Sequence, residues 1–375
     1  MKMSTTMSVT KDCLAVTTAV KSSEENNTSL EIIQKNVKKR WQSYIWDTFD
    51  KSPEERHFMF KLDFALLTMA SLGYFIKNLH QTNINNAFVS GMKEDLNLYE
   101  NEFNYMQTCW TIGCVIGEIP SNLVLTRVRP SVWIPCCELI WTVLTFSLAR
   151  RTTAKQIYAV RFFIRLAGMQ YIIGSWYRKD ELAKRSCLFH VSSALAAMLS
   201  GYLMTGMIQL DGLHGLAGWQ WLFLIDRAIG LPICIAGYFI LPDVPEICKT
   251  FYFSAEELVF AKKRMELEGR KERAPYTRSK IIRILTSWRI WLLTLLYVCF
   301  NNSGINSQPV FAQYLKKEKY SVEDINYYPT GARAVQIVTT FLHAWLSDNV
   351  LNGSRWEPIM IGAHENLCRS IPCNL

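Results

Sequence analysis

Three hundred and seventy-five residues with 50% hydrophobic, 19% charged and 13% aromatic content supply enough apolar surface for a large core, which excludes an intrinsically disordered chain and a disulfide-stapled miniprotein. The formal net charge of +9 raises nucleic acid as a partner, but the Lys and Arg residues flank apolar runs and form no basic face interleaved with aromatics, so no nucleic-acid partner is expected. The mean hydropathy of +0.05 conceals a segregation: polar blocks at 1–60 and 243–287 alternate with apolar runs of roughly 18 residues or more, long enough to cross a bilayer. The chain reads as an all-α integral membrane protein.

The first thirty residues are rich in Thr, Ser, Lys and Glu and lack the apolar stretch of a cleavable signal, so the first span is expected to target the chain and leave the N-terminus in the cytoplasm. Within the tail at 1–60, residues 30–48 place Ile32, Ile33, Val37, Trp41, Tyr44 and Ile45 on one helical face, with Lys35, Lys38, Lys39 and Arg40 elsewhere. That amphipathic pattern suits a helix at the membrane surface and equally a solvated helix packed on the cytoplasmic side. Spans are predicted at 61–88, 105–125, 132–149, 156–177, 185–210, 219–241, 287–311 and 328–346. Lys and Arg concentrate in the segments that then face inward, among them 1–61, 178–185 and 249–283, and are sparse in the outer loops, which orients the chain.

The first six spans form a half at 61–242, and 243–287 is a cytoplasmic linker. In it Ser254 stands three residues before Glu257, the spacing of a capping box, and opens a surface helix expected to close near Gly269. An incomplete second half follows at 288–363. The last apolar run, from Trp356, is too short to cross the hydrocarbon core before an aberrant tail at 364–375, so the chain is expected to stop inside a ninth helix. Six helices, a linker and a second set is the plan of transporters built from two parallel repeats, with substrate near the bilayer midplane.

Polar side chains inside spans are costly and mark either function or interhelical hydrogen bonds. The first span is the richest, with Lys77, His80, Gln81, Asn83, Asn85 and Asn86 crowded into ten residues. Asn and Gln offer donors and acceptors to an amide or hydroxyl, while Lys77 can meet a carboxylate and His80 can carry a proton. In the second span Gly113 and Gly117 have the spacing of small residues that lets helices approach, and Glu118 reads equally as a proton-coupling group and as half of a salt bridge. Arg161 and Arg165 lie one turn apart in the fourth span. Arg161 is the candidate partner of a carboxylate, with snorkelling to the interface as its alternative. Asn301, Asn302, Asn306 and Gln308 of the seventh span mirror the first-span cluster, Asp226 and Arg227 of the sixth are expected to neutralise each other, and His190 and Arg333 to be structural.

Cys109, Cys114, Cys234 and Cys299 sit inside apolar runs and read as small buried hydrophobes, with no CxxC pair at metal-ligand spacing. No HExxH, GxSxG, GxGxxG or Walker sequence stands in a suitable context. No enzyme activity, metal or cofactor is therefore expected, and the energy source is read as an ion gradient.

The stretches QTNINNAFVSGMKEDLNLY, IGEIPSNLVLTRVRP, IIGSWYRKDELAKRS, GLAGWQWLFLID, ILPDVPE and SWRIWLLTLLYVCFNNSG resemble the fungal anion:cation symporters of the major facilitator superfamily, and within them most resemble the pantothenate transporters. The resemblance covers about 30–363. It implies a major-facilitator helical bundle of twelve transmembrane helices, here about eight complete, and proton-coupled uptake of a small organic anion across the plasma membrane. Pantothenate is the first candidate, with allantoate, nicotinate or biotin behind it; a non-transporting substrate sensor and a truncated, inactive product are the other readings. The resemblance carries over Asn83, Asn85 and Asn86, Pro120, and Arg161, which stands at a position tied to proton coupling. The chain departs from the pattern at His80, where similar proteins have Asp, and at Arg165 and Arg227, where they have Gly. It also lacks about half a dozen fourth-helix residues between Leu166 and Met169.

Overall fold

The computed structural model describes residues 47–98, 101–125, 127–148, 154–163, 169–267, 277–303, 308–347 and 351. The amphipathic stretch at 30–46, Arg165 with the shortened stretch behind it, Asn306, the run from Trp356 and the tail at 364–375 lie outside them. Residues 1–52 form a unit by themselves, whose described part includes a single 3-10 turn at Asp47–Asp50.

The remaining chain folds as helices. α1 spans Pro53–Asp95, longer than the predicted 61–88, and contains two widened π turns at Asp63–Leu67 and Phe88–Met92, the second interrupted by non-helical backbone at Ser90 and Gly91. The second turn bends the helix at Gly91, whose φ of 117° is a conformation that side chains resist. α2 (Glu102–Leu125), α3 (Pro130–Leu148), α4 (Ala154–Phe163), α5 (Met169–Trp176), α6 (Lys179–Ile208) and α7 (Gly218–Ile240) complete the first half. The linker holds α8 (Ala255–Leu267) and α9 (Arg278–Leu285), and the second half holds α10 (Trp288–Ser303), α11 (Gln308–Lys317) and α12 (Val322–Trp345).

Five described helices are long and apolar enough to span a membrane: α1, α2, α3, α7 and the Lys184–Ile208 part of α6. The predicted fourth span is described in two pieces, α4 and α5, and the seventh as α10 and then α11. Residues 178–185, predicted as an inner loop, instead form the cap and opening turns of α6, where the Arg178 amide donates to the Glu181 carboxylate at 3.2 Å. The capping box at the linker helix forms as its spacing requires: the Ser254 amide donates to Glu257 at 2.9 Å, and the Glu257 amide to the Ser254 hydroxyl at 3.2 Å.

α6 packs along α1 on one side and α12 on the other, α7 lies on α3 and α1, and α2 lies on α4. Two glycines permit the closest of these approaches. A Cβ on Gly113 would run into the Phe162 carbonyl oxygen of α4, and one on Gly201 would stand 2.5 Å from the Asn326 carbonyl oxygen of α12.

The buried apolar residues fall into one cluster around Phe58, Leu66, Trp176 and Phe253, another around Phe88, Met106, Trp219 and Phe223, and a small set of Ile76, Leu79 and Ala196. Polar side chains of α1 lie between the two large clusters. Outward faces carry Ile112, Val115, Ile116, Val143, Phe239, Leu293 and Leu296 in the open, as a lipid-facing bundle requires. Cys114 and Cys234 are buried and carry no disulfide, as expected of small hydrophobes, and Cys109 is half-buried.

Candidate polar site between the spans

Nine residues of α1, from Lys77 to Asn85, already supply two turns of polar side chains, and Asn86 extends them. A helix places positions three and four apart on one side, so Asn83 and Asn86 share a face while Asn85 turns toward another neighbour. The structure follows that division. The Ser200 hydroxyl of α6 donates to Asn83 Oδ1 at 2.5 Å and accepts from Asn86 Nδ2 at 2.7 Å. On the other side Asn85 Oδ1 accepts from Gln107 Nε2 of α2 at 2.7 Å, and Gln107 Oε1 accepts from Arg161 Nη2 of α4 at 3.2 Å.

Arg161 is therefore no snorkelling residue. Its side chain is 3% exposed, the guanidinium lies 5.9 Å from the Trp110 ring centroid, and its Nε has no hydrogen-bond partner among the described residues. A buried guanidinium with one neutral partner keeps an unused donor, and a bidentate carboxylate is the chemical group that would satisfy what Gln107 leaves open. No protein carboxylate is described within ion-pair distance of it.

One turn and a half earlier on α1, His80 Nε2 faces Asp226 Oδ2 of α7 at 3.4 Å, with side chains 4% and 0% exposed. The expected neutralisation of Asp226 by Arg227 does not occur. Consecutive helical residues point about 100° apart, and Arg227 turns away to lie 4.1 Å over the Phe146 ring of α3.

The other candidates are scattered. Lys77 lies 5.3 Å from the Tyr74 ring centroid, Gln81 is half-buried, and Glu118 of α2 is exposed. Asn301 and Asn302 occupy the last turn of α10 and Gln308 opens α11, their side chains outside what is described. Three site residues escaped the sequence reading: Gln107, Ser200 and Asn326, whose amide donates to Ser90 of α1 at 2.9 Å and so ties the second half to the first. Gln107 is a polar residue inside a predicted span and carried the same signal as the asparagines; Ser200, in a run of small residues, carried none.

Residues 70–363 match the model of the Major Facilitator Superfamily. The chain belongs to that family of membrane transporters. The MFS transporter PfmaC of Pestalotiopsis fici is 38% identical over 82% of this chain and 60% of its own length. The pantothenate transporter FEN2 of Saccharomyces cerevisiae is 35% identical over 81% of this chain and 62% of its own, and the vitamin H transporter of the same yeast is 31% identical over 78% and 53%. The chain thus spans about 60% of the length of PfmaC and of the yeast pantothenate transporters. A bacterial homologue of the human lysosomal transporter Spinster, in an inward-facing and occupied conformation, superposes with a TM-score of 0.54 over 76% of this chain and 61% of its own at 16% identity, which establishes the shared fold. This major-facilitator chain is a multi-pass membrane protein.

Proposed function

We propose that the chain serves a proton-coupled carrier that takes a small organic anion, first of all pantothenate, into the cell across the plasma membrane, its N-terminus in the cytoplasm. The observation that carries this reading is the chain Asn85–Gln107–Arg161, two half-buried amides leading to a buried, incompletely satisfied guanidinium. Pantothenate has matching groups: one carboxylate for Arg161, and an amide and hydroxyls for Gln81, Asn83, Asn85, Asn86 and, from the second half, Asn301, Asn302 and Gln308. Lys77 adds a second positive charge. Protonation at His80 or Glu118 biases the exchange between outward and inward states, with Arg161 coupled to it through the substrate. The identity to the yeast pantothenate transporters supports the choice of substrate, and the identity to the vitamin H transporter makes biotin the next carboxylate to try.

The test is uptake of labelled pantothenate by yeast lacking its own pantothenate transport and expressing this chain. Uptake that rises in acidic medium, collapses with a protonophore and resists excess biotin supports the reading. Uptake at the level of the empty strain overturns it, and competition by biotin at equal concentration shifts the substrate assignment.

A further inference from the structure

We propose that His80 and Asp226 form one proton-binding unit, a single transferable proton shared between α1 and α7. The unit goes beyond the carrier reading, which places the proton on His80 or Glu118, and rests on it only for the use to which the proton is put.

The geometry sets the pair apart from the rest of the bundle. His80 Nε2 and Asp226 Oδ2 are 3.4 Å apart, no other hydrogen bond of good geometry is described to either ring nitrogen or either carboxylate oxygen, and the Asn83 amide of α1 stands beside Asp226. Gly230, one turn beyond Asp226, brings α7 to within 3.4 Å, from its Cβ position, of Ile76 on α1 and Thr142 on α3. That close approach holds Asp226 against His80, whose ring stands edge-on to Trp141 of α3 at 5.9 Å. Beyond the Asn83 amide, an aromatic ring and packed aliphatic groups offer little solvation to a lone charge.

Charge counting then fixes the favoured occupancy. With one proton between them the pair is neutral overall, as imidazole beside carboxylic acid or as imidazolium beside carboxylate. Removing that proton leaves an uncompensated carboxylate, and adding another leaves an uncompensated imidazolium; each is strongly disfavoured in a dry site. The sealed pair keeps one proton and gives it up, to water, when the site opens. Of the other titratable or charged groups on the packed helices, Lys77 of α1 lies over Tyr74, Arg227 of α7 over Phe146, and His190 of α6 edge-on to Tyr74; Arg185 of α6 holds Asp63 of α1, and Glu138 and Cys137 of α3 neighbour Cys234 of α7. His80 is the single charged partner described within ion-pair distance of Asp226.

The experiment is a pH titration of the purified full chain, labelled with 15N at histidine and held in phosphatidylcholine nanodiscs, followed by NMR. The chain has six histidines, so the signals lost in H80N identify His80. A shared proton requires that D226N move the His80 titration by about one pH unit or more, a tenfold change in proton affinity, or abolish it, while E256Q, at an exposed position of α8, leaves it in place. An identical His80 titration in the wild-type chain and D226N overturns the proposal. Should D226N not fold, H80N read in the carboxylic-acid region of the infrared spectrum makes the same test from the other side: a band assigned to Asp226 that does not change overturns the proposal. Both readouts are equilibrium proton binding, so a chain that moves no pantothenate can still pass, and one that transports can still fail.

Discussion

At the scale of single residues, the site depends on side chains that each serve two neighbours. Gln107 accepts from Arg161 and donates to Asn85, so its loss both frees the guanidinium and releases an α1 amide. Charge-assisted hydrogen bonds contribute about 1.5–3 kcal/mol, roughly ten- to a hundredfold in binding. Arg161→Ala is therefore expected to lower pantothenate uptake at least about tenfold. Arg161→Lys should restore little, because an ammonium cannot offer the paired donors of a guanidinium. Asn104→Ala, at an exposed residue bonded to Asn101, should leave uptake unchanged, and equal uptake by the Arg161→Ala and wild-type chains would remove Arg161 from the site. Ser200 is the corresponding hinge on α6. Ser200→Ala strands Asn83 Oδ1 and Asn86 Nδ2, at about 1–2 kcal/mol for buried polar groups without partners. The detergent-solubilised variant should melt a few degrees below the wild type in a fluorescence melt, whereas Ser200→Thr, which keeps the hydroxyl, should lie between.

At the scale of helices, what the sequence made legible was the existence of elements and their local punctuation. The apolar runs became helices, and Ser254 with Glu257 closed the capping box their spacing announced, since both depend on neighbours within a turn or two. The contacts between helices were not legible. Asp226 was assigned to Arg227 because they adjoin in sequence, whereas the fold gives it to His80 on a helix that only packing brings near. Likewise the small-residue spacing at Gly113 pointed to a helix contact, but only the fold reveals that its partner is the Phe162 carbonyl of α4. The same helix-to-helix distances supply an internal control within α6. Gly201 faces the Asn326 backbone of α12 at 2.5 Å from its Cβ position, while Gly206 has nothing within 4 Å. Gly201→Ala must force α6 and α12 apart, costing about 1–3 kcal/mol, and Gly206→Ala should gain about 0.5–1 kcal/mol from helix propensity. Thermal melts of the two variants should move in opposite directions; melts that move together would mean that α6 and α12 do not pack as described.

At the scale of the whole chain, the linker helix is fastened to one end of the bundle by charge. Arg264 of α8 reaches the buried Glu181 of α6 and lies 3.6 Å from Glu55 of α1, while Lys61 of α1 donates to Glu257 of α8 at 2.8 Å. Beside these, Arg185 of α6 grips Asp63 of α1 through two bonds of 2.7 and 3.0 Å. Buried pairs of this kind are strongly destabilising to break by removing one partner, at about 3–5 kcal/mol, because the remaining charge keeps its burial. The pH dependence follows from Glu257. Burial pushes its carboxyl up, but the Lys61 hydrogen bond, the Ser254 amide and the positive field of Lys61 and His57 outweigh it and hold the carboxyl below its ordinary 4.5. A depressed value in the docked state means that the contact contributes fully above 4.5 and is lost as the pH falls through the lower, docked value. Docking of α8 should therefore be constant from neutral pH down to about 5 and weaken only in stronger acid. Spin labels at the exposed Glu54 and Lys262 would follow it as a distance distribution. Glu257→Gln should remove the acid-dependent step while leaving the helix docked, and Arg264→Ala should broaden the distribution at every pH because it withdraws the guanidinium from both Glu181 and Glu55. A distribution in Arg264→Ala identical to that of the wild type would mean that the apolar contacts of α8, Ala261 and Met265, hold it without the charges.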